Sequence, residues 1–432
     1  MAEKLRVGIA GLGTVGVGVA KLFANPQGRL NEKMQLVAVS ARDKDRARAI
    51  DFSAYRWFDN AEALAADPEI DVVIELIGGA EGVAKNVAEA ALGRGAALIT
   101  ANKALIAAHG AALVAIAERT GGRLLFEAAV GGGVPMVKAL RDSVAGCHAK
   151  SVAGILNGTC NFILTEMETG GRTFADVLSE AQRLGYAEAD PTTDVGGWDA
   201  AHKLAILAAI AFGTRPDLEH VRVEGIENVT LTDIRMASKL GYRIKLIARG
   251  VVTAEGVAMQ VGPALLGMDH PLVNVSGSLN ALVADADPLG QLTFIGRGAG
   301  EGPTAASVAS DLIDVAEGRA AHAFGRPLAQ LAAAPRAAPV ERGRYYMRLL
   351  VEDRPGVVAA VSDRLAHEEI SIESFLQMPV HEGPFVPIVL TTQTCARAAL
   401  GRAAKAIEDA GVVAEAPAIM PIEESRNRGW GA

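Results

Sequence analysis

The sequence predicts an α/β protein of three parts: a Rossmann-type doubly wound parallel sheet, an α+β domain, and a C-terminal ferredoxin-like βαββαβ module. Three observations carry this reading. A strand-like run, Lys4 to Ala10, enters Gly11-Leu-Gly-Thr-Val-Gly16 and a helical register follows it. Alternation of βα units then continues to Val130, and residues 345–418 run strand, helix, strand, strand, helix, strand. A length of 432 residues fits about three domains.

In the G-x-G-x-x-G turn, Gly11 permits the tight bend, Gly13 lets backbone approach a pyrophosphate, and Gly16 allows close helix packing. The helix that opens at Thr14 and Val15 offers its N–H groups to the phosphates. The second strand, Met34 to Ser40, ends on Ser40, Arg42 and Lys44 instead of the carboxylate that usually accepts the adenosine ribose hydroxyl. This favours NADP(H). Asp43 keeps NAD(H) open, and Arg42 reads equally well as a solvated charge beside Asp45, Arg46 and Arg48.

The next strands are Val72 to Ile77, Ala97 to Thr100 and Leu124 to Val130. Their carboxyl ends, where such sheets bind ligands, carry Gly78-Gly79, Thr100-Ala-Asn-Lys103 and Val130-Gly-Gly-Gly-Val-Pro135. Lys103 there either enters the cofactor cleft, holding a substrate carboxylate or assisting proton transfer, or faces solvent at a helix start. Glu127 stands in an otherwise apolar strand and needs a partner. That partner is either a monovalent cation completed by carbonyls of Val130 to Val134 or a lysine or arginine from elsewhere.

Beyond Pro135 the pattern changes to helix Val137–Ala145, strand Val152–Leu156, and a helix opened by Thr173 and stopped at Gly185. Strands Tyr242–Val251, Val257–Val261, Asn280–Ala286 and Gln291–Gly296 complete an α+β substrate domain, one sheet face of which suits a dimer interface. The Ala-rich helix Thr304–Glu317 is expected to pack back on the first domain. The resulting limits are 1–135 with 303–320, then 136–302, an Ala/Pro/Arg-rich linker at 321–343, and the module at 344–424. Val412 to Ala418 is its expected last strand.

Asp199 and Lys203, four residues apart, share one face of the helix that follows the acidic loop Gly185–Asp194. An acid beside an amine binds polar substrates and moves protons. The plain alternative is a surface ion pair worth little. The apolar run Leu204 to Phe212 favours a buried cleft instead, and Glu188 waits in the loop upstream.

A net charge of -8, with no basic stripe, argues against nucleic acid. Cys147, Cys160 and Cys395 lack metal-ligand spacing, and neither a signal-like N-terminus nor a membrane-length apolar run occurs. No membrane association and a cytoplasmic location are therefore expected.

The whole assembly resembles homoserine dehydrogenases that carry a C-terminal ACT domain. The resemblance rests on GLGTVG, Ala101-Asn-Lys103, Glu127-Ala-Ala-Val-Gly-Gly-Gly133, Leu156-Asn-Gly-Thr-Cys-Asn161, and above all GYAEADP followed by WDAAHK. Asp353-Arg-Pro-Gly-Val357 is similar to the ligand corner of ACT domains. The resemblance implies reversible NAD(P)H-dependent reduction of L-aspartate 4-semialdehyde to L-homoserine, on the route to threonine, methionine and isoleucine. It makes Lys203 the preferred proton carrier, with Lys103 as second candidate, and Glu188 and Asp199 the homoserine ligands. It also implies that Thr100, Lys103, Gly185 and Gly300 join the cofactor site, and that Glu127, Val130, Gly132 and Val134 hold Na+. L-threonine is the implied effector, the plain alternative being that the ACT domain is an oligomerisation element with no ligand, and a homodimer or homotetramer is the implied assembly. Two rivals remain: a reductase for another amino-acid aldehyde or imine, and a catalytically silent sensor of amino acid and nucleotide.

Overall fold

The computed structural model describes residues 4–25, 28–319, 321–333, 336–338, 342–377 and 384–423. Six parallel strands form the first sheet, in the order Arg56–Phe58, Met34–Ser40, Leu5–Ala10, Val72–Glu75, Ala97–Thr100, Arg123–Leu125. The order reverses beside Leu5–Ala10, which opens a crevice at the carboxyl ends of the two central strands. Val7, Ile9, Val72 and Ile74 are fully buried, as both faces of such a sheet are covered.

Helix Glu301–Ala316 returns to this domain and packs on helix Thr14–Ala24. Gly18 makes the approach possible, because a Cβ there would lie 2.7 Å from Glu301 Cγ. Ala305, Val308 and Leu312 complete the same core as Val7 and Ile9.

Two local expectations need correction. Glu127 is not in a strand: pairing ends at Leu125, and residues Glu127–Ala129 form a 3-10 turn. The turn is required because both carboxylate oxygens of Glu127 accept N–H groups at the start of helix Met136–Ser143, from Val137 at 3.1 Å and Lys138 at 2.7 Å. The last strand is Ala418–Glu423 rather than 412–418. Val413 makes only an isolated bridge to Val351, and Pro417, with no N–H, separates it from the true strand.

The second sheet crosses a domain boundary. Strands Gly290–Arg297, Leu279–Asp287, His148–Ile155, Tyr242–Val252 and Val257–Gly267 lie antiparallel in that order. Val257–Gly267 then pairs in parallel with Ala418–Glu423, through Leu265 with Ile422 and Leu266 with Glu423. Arg342–Glu352, Phe385–Thr392 and Ile372–Gln377 follow, which gives the ferredoxin-like order 4-1-3-2 within the C-terminal module. Helices Val357–His367 and Arg397–Asp409 cover one face of it.

The stretch 321–343 is pinned where it is described. Phe324 is buried against Phe126, with ring centroids 5.2 Å apart, and Arg336 pairs with Asp217 at 2.9 Å. Residues 334–335 and 339–341 of this stretch lie outside the described residues.

Candidate active site

Helix Trp198–Phe212 is the hub of the site. It is buried almost throughout from Asp199 onward, lying against strands His148–Ile155 and Tyr242–Val252 on one side and helix Lys103–Thr120 on the other. This brings the start of one buried helix to the start of another, and with it three charged groups together. Lys203 Nζ donates to Asp199 Oδ2 at 2.7 Å and to the Leu156 carbonyl at 2.6 Å. Lys103 Nζ lies 2.9 Å from the other oxygen, Asp199 Oδ1. The side chains of Asp199 and Lys203 are 8% and 11% exposed, whereas that of Lys103 is 36% exposed and reaches toward solvent.

Burial alone would push the Asp199 carboxyl up, but the ammonium groups of Lys203 and Lys103 outweigh it and hold this acid well below the carboxylate range. The Asp199 charge in turn raises Lys103 above the usual lysine value, with Asp194 and Glu188 adding smaller pulls in the same direction. One buried carboxylate thus pairs with both lysines, one on each oxygen.

Asn157 and Asp194 are site residues that sequence reasoning missed. Asn157 caps helix Gly158–Gly170 through Cys160 N–H and uses its amide to donate to Asp199 Oδ2 and Asp194 Oδ1, both at 2.8 Å. Burial, then the nearby Asp199 charge, raises the Asp194 carboxyl. The signal was present as Leu156-Asn-Gly-Thr-Cys-Asn161, a capping asparagine between strand and helix. Glu188 is exposed on the loop after helix Phe174–Arg183. Gly185 opens that loop with φ +76, and Thr159 holds it by donating to the Tyr186 carbonyl at 2.7 Å.

At the switch point lies a cleft of about 1060 Å³, lined by Gly11, Gly13, Arg42, Arg46 and Gly78 among others. Gly11 has φ +110, and a Cβ there would sit 2.5 Å from the Leu76 carbonyl oxygen. A Cβ on Gly16 would meet Gly11 O at 2.0 Å, so this glycine closes the turn itself. Gly13 faces open space within 4 Å, the condition for close approach of a phosphate. Thr14 and Val15 begin the helix behind it. Asp43 Oδ1 is occupied by the N–H groups of Asp45 and Arg46, at 3.0 Å each.

Thr100 turns inward: its hydroxyl donates to the buried Glu75 at 2.5 Å and accepts Asn102 N–H at 2.9 Å. Glu75, fully buried and also bonded by Ile77 and Gly78 N–H groups, shapes the loop at the end of its strand. It was visible as the lone carboxylate in Val72-Val-Ile-Glu-Leu-Ile77. Gly300 has φ +117 and caps the return helix.

Glu127, pushed up to about 7 by burial, sits beside Asp311, which accepts its backbone N–H at 2.9 Å and adds a second negative charge. Gly132 O accepts the Ser307 hydroxyl at 2.6 Å, Val130 N–H is held by Glu127 O, and Val134 N–H by Gly131 O.

Residues 11–127 match the family description "Homoserine dehydrogenase, NAD binding domain", residues 135–313 match "Homoserine dehydrogenase", and residues 345–412 match "ACT domain". A homoserine dehydrogenase of Pseudomonas aeruginosa is 42% identical, over 94% of this chain and 96% of its own. The chain belongs to the homoserine dehydrogenase family. One from Neisseria gonorrhoeae is 40% identical over 98% of this chain and 99% of its own. The crystal structure of a homoserine dehydrogenase from Thiobacillus denitrificans superposes with a TM-score of 0.90 at 39% identity, covering 98% of this chain and 99% of that one. A hyperthermophilic archaeal homoserine dehydrogenase in complex with NADPH is similar at a TM-score of 0.63 and 27% identity, over 74% of this chain and 99% of its own. The chain is thus an NAD(P)-dependent oxidoreductase with a nicotinamide-cofactor domain and an ACT domain. Among the described residues, no helix is long and apolar enough to cross a membrane.

Proposed function

We propose that this chain interconverts L-aspartate 4-semialdehyde and L-homoserine, and that Lys203 carries the proton. The observation that supports it most is the buried Asp199 carboxylate gripping one lysine with each oxygen, at the carboxyl edge of a sheet whose glycine turn is shaped for a dinucleotide. When bound, the nicotinamide supplies or accepts the hydride at the carbon bearing the reacting oxygen.

The chain's own residues do the rest. Asp199 and the Leu156 carbonyl take two of the three N–H groups of Lys203, which fixes the third for the substrate oxygen. In reduction that N–H delivers a proton to the forming alkoxide; in oxidation neutral lysine removes it. Lys103, less buried and bound to Asp199 alone among the described residues, orients the substrate from the open side. Asp199 already accepts from two lysines and Asn157, so the substrate ammonium falls to Glu188.

NADP(H) is the favoured cofactor because Arg42 lines the cleft while Asp43 is spent in its own turn. NAD(H) is the comparison substrate. A monovalent cation, Na+, fits near Glu127, where two buried carboxyls have mainly backbone N–H groups and Lys138 to offset them; Glu127, Val130, Gly132 and Val134 would hold it. The ACT domain supports L-threonine as effector at the corner 353–357, where Gly356 has φ +88 and opens a helix. Ile295, 52% exposed on the open edge strand Gly290–Arg297, supports a homo-oligomer.

The test is absorbance of reduced nicotinamide during incubation with L-homoserine and NADP+ or NAD+, then with L-threonine added. Homoserine-dependent reduction supports the reading. Protein that binds NADP+ yet reduces it with neither homoserine nor any related amino alcohol would point to the sensor instead.

A further inference from the structure

A second cavity, of about 280 Å³, lies where the catalytic sheet meets the ACT module. Arg222, Arg249, Arg342, Arg344 and Arg397 line it, against only two acids, Glu224 and Glu423. Some of this charge is settled locally. Arg249 pairs with Glu423 at 3.0 Å, and Arg344 pairs with Glu373 and reaches Tyr242. Arg222, Arg342 and Arg397 have no ion-pair partner among the described residues.

Arg397 carries the argument furthest. Its Nη1 is buried without a hydrogen-bond acceptor, and the guanidinium stands 5.5 Å above the Tyr345 ring. Burial, and then the neighbouring Arg222, make its protonated form less favourable than usual. It also begins helix Arg397–Asp409, whose N-cap, Ala396, offers no side chain to the first N–H groups. Cations crowded at a partly desolvated domain junction are costly unless something neutralises them. The arrangement has the forked donors, helix terminus and partly enclosed volume that suit planar or tetrahedral oxyanions.

We propose that this cavity is a binding site for a small dianion, a dicarboxylate or a phosphate, held between the catalytic domain and the ACT module. Arg222 comes from the catalytic side and Arg342 and Arg397 from the module, so the ligand bridges the two. The site is separate from the corner 353–357, none of whose residues lines it. Bound anion would reinforce a junction that the Leu265–Ile422 strand pairing already makes.

The experiment is titration of the full chain, with cofactor present to occupy the other cleft, by malonate and by inorganic phosphate, each against chloride at equal ionic strength. Heat of binding and thermal midpoint are both read. Saturable binding is expected in the native chain. It should be about tenfold weaker in Arg397→Gln and in Arg222→Gln, the size expected for losing a hydrogen bond between charged partners. Neither residue belongs to the catalytic machinery, so kcat should hold in both variants. Binding of malonate alone assigns a carboxylate ligand, and of phosphate alone a phosphoryl ligand. If Arg397→Gln folds poorly, Arg222→Gln, at an exposed position, decides. No saturable binding of either probe, or equal binding by native chain and variants, overturns the proposal.

Discussion

Replacing Asp199 by asparagine should separate orientation from charge in the active site. The carboxylate accepts from Lys203 at 2.7 Å, Lys103 at 2.9 Å and Asn157 at 2.8 Å. An amide of the same shape has one acceptor oxygen and one donor nitrogen, so it can serve only one of the two ammonium groups and opposes the other. A hydrogen bond between charged partners is worth about 1.5–3 kcal/mol. The buried Lys203 contact belongs at the upper end, while the Lys103 contact, open to solvent at 36% exposure, is screened and belongs at or below the lower end. Losing hold of the proton carrier should therefore cost about 3 kcal/mol in the transition state, or roughly 10² in kcat/KM.

The variant should also move the pH profile. Asp199 raises Lys103, and removing that charge lowers it. Lys103 orients the substrate as a cation, so the descending alkaline limb of kcat/KM that reports loss of its charge should shift to lower pH. The assay is initial rate of nicotinamide reduction across the alkaline range, with kcat and kcat/KM fitted separately. A variant that keeps kcat/KM within about threefold of the parent, or whose alkaline limb stays in place, would refute the reasoning.

Three further substitutions test other parts of the structure. Arg42→Ala should raise KM for NADP+ about tenfold and leave NAD+ nearly unchanged, since only the former carries a 2′-phosphate; equal effects on both would remove Arg42 from cofactor choice. Glu127→Gln tests the buried carboxyl pushed up to about 7. Its folded pKa exceeds the unfolded value near 4.5, so the folded state favours the protonated form, and stability should fall as pH rises from about 4.5 to about 7, by at most about 3 kcal/mol. Urea titrations should show that slope in the parent and not in the variant, and Na+ should flatten it where choline does not; equal slopes in the two salts would sink the cation site. Phe324→Ala should cost about 3–5 kcal/mol in the same titrations, because its ring fills a buried space beside Phe126. An unchanged midpoint would mean that 321–333 is a loose connection after all.

What the sequence revealed was mostly local. The phosphate turn is legible because three glycines answer steric demands within a few residues: Gly11 takes a positive φ, Gly13 faces open space, and a Cβ on Gly16 would meet the Gly11 carbonyl. Asp199 and Lys203 are legible because one helical period joins them. Lys103 was legible as a cleft residue from its place after a strand end, but it meets Asp199 only because helices Lys103–Thr120 and Trp198–Phe212 pack together, a contact with no local signature. Glu127 misled because a carboxylate in an apolar run looks like a strand residue, whereas its partners are N–H groups of a helix that starts after two further turns of chain. The joint sheet was beyond reach for the same reason. Leu265 and Ile422 are ordinary alternating residues, and nothing near either one announces the other. Asp233 makes the point sharply. On its own helix it reads as half of a capping box with Thr230, and it is one. In the fold its other oxygen also accepts Tyr346 and Arg348 from the ACT module, at 2.9 and 2.8 Å, inside a fully buried junction. A residue explained completely by its neighbours in sequence is thus also the polar anchor between two domains, and only the three-dimensional pairing distinguishes the second role from the first.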